Sequence, residues 1–174
     1  MSGLSRSFDP GRIFFLNPLD NLKPLWYNLL RKVKKDKTMT LETAIAIAHS
    51  FDEELSVVLG DEFTYIYAES TVIFGTEVYS EEQKLFCDHI KETYGLDISQ
   101  KEDYELFSLL HEIGHHFTMD DLEDEEAENE LLMRNLIHCI DDVATANETY
   151  FNLPSEVMAN DWAFDHFEEV KGRL

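Results

Sequence analysis

The pair His111 and His115, four residues apart, is the part of the sequence whose spacing most directly suggests chemistry. On a helix, side chains at positions i and i+4 project from the same face, so their two imidazole rings can bind one metal ion. Glu112 lies one step further around, where its carboxylate can reach a water molecule on that metal without ligating it. The run HEIGHH therefore contains the HExxH arrangement, in which two histidines hold a metal and a glutamate acts as a base.

A catalytic zinc site of this kind needs a third protein ligand and leaves a further position for water. Asp121 is one option, because it lies where the metzincin pattern puts its third ligand, but Thr118 stands where that pattern requires a glycine. Glu156 is the better option, since it falls in the first turn of the predicted last helix, within EVMANDWA. Glu156 and Asn160 share one face of that helix, so Asn160 can hydrogen-bond a metal ligand.

LLHEIGHH followed by LPSEVMANDWA resembles the ImmA/IrrE-type zinc peptidases, a gluzincin-like group often found in bacteria and their phages. The resemblance covers about residues 99 to 167, and Trp162 takes the aromatic position of the group's ExxANxFA-like helix. It implies a zincin-like fold in which the HExxH helix packs against a small sheet or hairpin. It further implies one Zn²⁺ per chain, held by His111, His115 and Glu156, with Glu112 as the general base of peptide-bond hydrolysis.

The oxyanion formed during such a hydrolysis needs a hydrogen-bond donor in addition to the metal. Tyr150 and His166 are the candidates, because they flank the segment that contains Glu156. A purely structural role is the alternative for each of them. His116 adjoins a ligand but points to a different face of the helix, so we expect it to support the site or the core.

Two functions are compatible with this arrangement. The first is a zinc-dependent metalloendopeptidase that hydrolyses a protein or peptide substrate inside a bacterial or phage-infected cell. The alternative is a non-catalytic acidic interaction protein, a charge mimic or a virion or assembly component, which keeps a zincin fold around a structural metal. Glu112 favours the enzyme, because holding a structural metal does not require it.

Composition excludes several other classes of protein. The 174 residues include 14 basic and 36 acidic side chains, a formal net charge of −22, which predicts no general binding of nucleic acid. No apolar run approaches the roughly 20 residues of a membrane helix, and none near the start resembles a signal-peptide core. Two cysteines are too few for a disulfide framework. We therefore expect a cytoplasmic protein without a transmembrane segment or signal peptide.

Charge divides the chain into two parts. Residues 1–37 contain eight basic and three acidic side chains, a net of +5, which leaves −27 for the remainder. Apolar residues recur at helical spacing from Leu22 to Val33, and a cluster of basic residues overlaps and follows this stretch. We expect a basic N-terminal arm over 1–37, whose amphipathic helix docks on the body, on a partner protein or on a membrane surface, and a zincin-like metallopeptidase domain over 38–174.

Hydrophobic periodicity predicts a mostly helical α+β domain. Helices are expected over 41–59 after a Thr40 cap, over 81–94, from a Ser99 cap through the HExxH motif, over 125–147, and from Pro154 to about 168. Alternating residues between Phe63 and Phe74 predict a hairpin or small sheet. Two sets of side chains are expected to be buried, the first on the HExxH helix and the second on the long helix after it: Tyr104, Phe107, Leu110, Ile113, Phe117; Leu132, Leu136, Ile140, Val143, Ala144.

Overall fold

The computed structural model of this protein describes residues 39–75 and 81–174. The predicted basic arm and its helix therefore lie outside the described residues. Within the described ranges the chain forms a mostly helical α+β structure with a small sheet, as the sequence predicts. In chain order the elements are α1 (Leu41–Phe51), β1 (Ser56–Gly60), β2 (Thr64–Ile66), β3 (Thr71–Gly75), α2 (Glu81–Tyr94), α3 (Lys101–Thr118), α4 (Asp124–Ile137), α5 (Val143–Phe151) and α6 (Pro154–Arg173).

Helices α3 and α6 form the centre of the structure and pack along each other. Helix α3 buries Phe107, Leu110 and Ile113 completely or nearly so, as predicted. Helix α6 presents small residues to it: a Cβ atom on Gly114 of α3 would lie only 2.8 Å from the carbonyl oxygen of Ala159. This close approach brings the start of α6 beside the second half of α3.

The sheet has the order β1-β3-β2 and packs against α3 through β2 and β3. β3 pairs in parallel with β1 and antiparallel with β2, so the predicted hairpin is confirmed by the β2–β3 pair. The predicted helix over 41–59 is wrong beyond Phe51, although Thr40 caps it as expected. Val57 and Val58 are β-branched, and pairing with β3 makes their stretch a strand in place of a helix.

The ends of α3 differ slightly from the prediction. Gln100, not Ser99, stands at the N-cap position, and the backbone N–H of Ser99 donates to the carboxylate of Asp97. Near the other end, Phe117 was predicted to be buried but is 39% exposed, with its ring stacked on Trp162. The ligand pair of the HExxH motif nevertheless lies within a continuous helix.

The predicted helix over 125–147 is divided into α4 and α5, and the carboxylate of Asp142 caps the second of these. The burial predicted for it is also wrong. Leu132 and Leu136 are exposed because α4 turns charged residues toward the protein. Val143 and Ala144, at the start of α5, are also exposed, and Ile140 between the two helices is only partly buried. No helix in the described part of the chain combines the length and apolar character needed to cross a membrane.

Candidate metal centre

His111, His115 and Glu156 meet in the interior, as the sequence predicts. The two histidines project from one face of α3, and the carboxylate enters from the first turn of α6. Each of the three residues is less than 9% exposed. The Nε2 atoms of the two rings are 3.1 Å apart, and Oε2 of Glu156 lies 3.2 Å from Nε2 of His111 and 3.7 Å from Nε2 of His115. Two helices thus supply three potential ligand atoms to one point.

These distances fit a metal ion with tetrahedral coordination. Ligand atoms about 2.0–2.1 Å from a tetrahedral metal are separated from each other by about 3.3–3.4 Å. The three separations in the structure, 3.1, 3.2 and 3.7 Å, lie close to that value on either side. Two imidazole nitrogens that face each other also need something between them, either a proton or a cation. The donor set of two imidazoles and one carboxylate could therefore hold a metal ion.

Asn160 orients the first of these ligands. Its Oδ1 atom lies 2.8 Å from Nδ1 of His111, and an amide oxygen can only accept, so the histidine donates from Nδ1. This hydrogen bond leaves Nε2 of His111 free to bind a metal through its lone pair. Asn160 lies one helical turn after Glu156 and therefore on the same face of α6. The sequence predicts this supporting contact from that spacing.

Arg134 holds the other oxygen of the predicted carboxylate ligand, and the sequence reasoning missed it. Its Nη2 atom lies 2.7 Å from Oε1 of Glu156 and 2.9 Å from the hydroxyl of Ser155. Its Nε atom donates to Glu130, one turn earlier on α4, at 2.9 Å. Glu130 in turn accepts from the backbone N–H of Ser155 at 2.9 Å. The i, i+4 spacing of Glu130 and Arg134 was the available signal, but such pairs are common on exposed helix surfaces.

Electrostatics in the centre favour an ionised carboxylate facing a cation. Burial opposes the ionisation of Glu156, yet hydrogen bonds from the two histidines hold its pKa well below the ordinary value. Burial likewise disfavours a charged His111, but the carboxylates of Glu156 and Glu112 outweigh burial and raise the pKa of His111. The residues around this point therefore attract positive charge, whether a proton or a metal ion.

Glu112 is buried beside the ligands and is not part of the three-residue group. Burial raises its pKa above the ordinary value, against the opposing effect of His111 and His115. Its carboxylate accepts a hydrogen bond from the backbone N–H of Tyr65 in β2. The raised pKa suits a group that accepts a proton and then releases it.

A cavity of about 280 Å³ opens onto this centre. His111, Glu112 and Glu156 form part of its wall, and Tyr150 from α5 also lines it. Burial and the negative charge of Glu156 raise the pKa of Tyr150, so its hydroxyl stays protonated. The remaining lining residues described by the structure are Asp61, Glu62, Phe63, Gln83, Phe86, Tyr104, Ser108, Asn147 and Phe151.

The structure does not bring His166 to this cavity among the residues it describes. Its Nδ1–H donates to the carbonyl oxygen of Trp162 at 2.7 Å, and its ring stacks on that tryptophan. Asp121, the less favoured ligand, is exposed in a short 3₁₀ turn and is not in the three-residue group. His116 bridges two elements, since its ring nitrogens lie 2.9 Å from the hydroxyl of Tyr65 and from the carboxylate of Asp52.

No protein-family model, curated protein or solved structure matches this chain. The geometry of the residues themselves is therefore the basis for assigning a function.

Proposed function

We propose that this protein is a zinc-dependent metalloendopeptidase with a zincin-like fold, related to the ImmA/IrrE-type peptidases that its two motifs resemble. The observation that supports this most strongly is the convergence of His111, His115 and Glu156 beside a buried, non-ligating Glu112 at the wall of one cavity. Its substrate would be a protein or peptide in the cytoplasm of a bacterial or phage-infected cell.

Zinc suits this set of donors better than other common metal ions. Imidazole nitrogens favour Zn²⁺ over Mg²⁺ and Ca²⁺, which prefer all-oxygen sites, and two histidines with one glutamate form a known catalytic zinc set. A zinc ion held by three protein ligands supplies Lewis acidity, which acidifies water and polarises a carbonyl group. The protein's own residues must supply the proton transfers and the orientation of the substrate.

Glu112 would act as the proton carrier of the reaction. Its carboxylate removes a proton from the attacking water and then passes that proton to the nitrogen of the leaving amine. Burial raises its pKa and so makes it more basic than an exposed glutamate. Tyr150, which lines the same cavity with a protonated hydroxyl, would donate a hydrogen bond to the oxygen of the substrate carbonyl as negative charge develops there.

An interaction protein with a structural metal remains the second candidate, favoured by the formal net charge of −22. The two candidates differ in what they require of Glu112. A structural site needs only its three ligands, whereas catalysis also needs the neighbouring carboxylate. A binding function based on charge would also weaken steeply as salt is added, because ions screen exposed charges.

The test combines metal content with a search for cleavage. Zinc per chain is measured by mass spectrometry of the purified full-length protein, after which a mixture of synthetic peptides of random sequence is incubated with it and analysed for new termini. We expect about one zinc per chain and new termini with the wild-type protein. Glu112→Gln should bind zinc equally and lower the cleavage rate by about 10²–10⁴-fold.

Glu102→Gln is the matched control, because Glu102 lies on the same helix but is exposed at its first turn. It should leave both zinc content and cleavage unchanged. Cleavage that persists in Glu112→Gln would refute the proposed mechanism. Zinc binding without cleavage by the wild-type protein, on peptides or on unfolded proteins, would favour the interaction protein.

A further inference from the structure

Helix α4 has its apolar side turned away from the protein. Leu132 is 58% exposed, Met133 40% and Leu136 48%, although large apolar side chains are usually buried. The opposite side of the same helix contains the buried Glu130 and the half-buried Arg134, which bind Ser155 and Glu156. The orientation of α4 is therefore fixed by its charged residues, and its apolar residues face outward as a consequence.

An apolar groove continues this surface. It lies between α4 and the junction of α5 with α6, and has a volume of about 390 Å³. Met133 forms one wall, and Leu153 and Pro154 form another. We call Leu132, Met133, Leu136 and this groove the outer face of α4. A row of exposed apolar residues at positions i and i+4 beside a groove is the kind of surface that binds an amphipathic helix.

Acidic residues occur next to the outer face. The start of α4 and the turn before it contain seven exposed carboxylates: Asp120, Asp121, Glu123, Asp124, Glu125, Glu126 and Glu128. A helix that binds here must therefore combine an apolar side with positive charge. A second copy of this chain is a poor match, because each copy has a net charge of −22 and would bring the same carboxylates.

The N-terminal part of this chain has the required composition. Residues 22–37 contain six basic side chains and one acidic one. Leu22, Leu25, Trp26, Leu29, Leu30 and Val33 recur at helical spacing within it. We propose that residues 22–37 dock on the outer face of α4 as an amphipathic helix, with the leucines against Leu132 and Leu136 and the basic residues beside the carboxylates.

The segment joins the described chain beside helix α3. The backbone N–H of Met39 donates to Glu105 of α3 at 3.2 Å. Glu105 precedes the ligand His111 by six residues, which is about 9 Å along a helix. The residues between Val33 and Met39 can span about 20 Å when extended. The proposal depends on surface contacts alone and stands whether or not the buried centre binds zinc.

Amide hydrogen exchange, followed by mass spectrometry on the full-length protein, tests this docking. In the wild-type protein, amides of residues 22–33 should exchange about tenfold more slowly than in Leu132→Ser/Leu136→Ser. Leu131→Ser is the matched control, since Leu131 is equally exposed on α4 but lies on another side of it, and should keep the protection. Exchange in α3 and α6 reports in the same data whether each variant is folded.

A second variant leaves the body of the protein untouched. Lys34→Glu/Lys35→Glu reverses charge in the proposed segment and should speed its exchange as the leucine variant does, and added salt should act in the same direction. Equal exchange of residues 22–33 in the wild-type protein and in both double variants would overturn the proposal, and would leave the outer face to another protein. Protection that appears only with rising concentration, together with a dimeric mass, would also overturn it in favour of a second copy.

Discussion

Helix α3 turns its leucines toward the interior of the protein, whereas helix α4 turns its leucines outward. Helix α3 buries Leu109 and Leu110 completely, together with the two histidines of the candidate metal centre. Helix α4 exposes Leu132 and Leu136 and buries Glu130. Both helices thus place polar groups in the interior, but α4 also turns its leucines away from the described body.

The difference follows from the partners that the buried polar groups require. The histidines of α3 point into a centre that also receives Glu156, and the rest of their helix can pack in the ordinary way. Glu156 has a second oxygen, and a buried carboxylate oxygen needs a hydrogen-bond donor or a cation as its partner. Arg134 meets that need, so α4 must turn this residue inward. Each exposed leucine therefore lacks the stabilisation of about 1.5–3 kcal/mol that full burial of its side chain would provide.

The largest effect that this comparison predicts is on the leucines of α3. Leu110→Ala removes a completely buried side chain and should destabilise the protein by about 3–5 kcal/mol, because transfer and cavity costs add. Leu131→Ala on α4 should change the free energy of unfolding by less than about 0.5 kcal/mol. Urea denaturation of both variants measures the contrast. A loss above about 2 kcal/mol in Leu131→Ala would show that the side of α4 that contains Leu131 is also buried in the intact chain.

Arg134→Met tests whether the cation, and not apolar packing, orients α4. Removal of the guanidinium leaves Glu130 and Glu156 buried without their partner, which we expect to cost about 3 kcal/mol, a low value for buried pairs because Arg134 is partly exposed. Metal affinity should fall about 10–100-fold, as for other residues that orient a ligand. Denaturation and competition with a metal chelator measure the two effects.

Arg134→Met/Glu130→Gln provides the comparison for that variant. In the single variant, Glu130 and Glu156 are both left without the guanidinium. The double variant removes the charge of Glu130, so part of the lost stability should return, while metal affinity stays low because Glu156 still lacks its partner. Full stability and full metal affinity in Arg134→Met would contradict the role we give to this arginine, and would require another reason for the exposed leucines of α4.

Local signals in the sequence predicted the parts of the site that depend on one helix at a time. The spacing of His111 and His115 places both rings on one face wherever a helix forms, and the structure contains that helix. Thr40 caps α1, Gly95 ends α2 at a positive φ of 71°, and Pro154 begins α6. Such signals act within a few residues, so they can be recognised without knowledge of the tertiary structure.

Parts of the structure that depend on distant partners were not predictable in the same way. Residues 56–60 form a strand because β3 pairs with them, although their apolar spacing also fits a helix. The side of α4 that faces inward is decided by Glu156, 22 residues after Arg134, and the apolar residues alone indicate the opposite side. In both cases a tertiary contact determines the structure against the local hydrophobic pattern. Residues close in sequence do not contain the information that would predict such a contact.

Gly114→Ala tests the close contact between α3 and α6 that brings Glu156 to the histidines. A Cβ atom here would lie 2.8 Å from the carbonyl oxygen and 3.0 Å from the Cα atom of Ala159, so α6 must move away. We expect a loss of about 1–2 kcal/mol in stability and about tenfold in metal affinity, since Glu156 lies one turn from Ala159.

Gly172→Ala on α6 is the control. Its new Cβ atom meets no atom within 4 Å, so the substitution should instead stabilise the protein by up to about 1 kcal/mol. Opposite signs for the two glycines, measured by denaturation and zinc competition, would show that the small residue is needed for the approach of the helices. A harmless Gly114→Ala would mean that the close contact with Ala159 is not needed to bring Glu156 to the histidines.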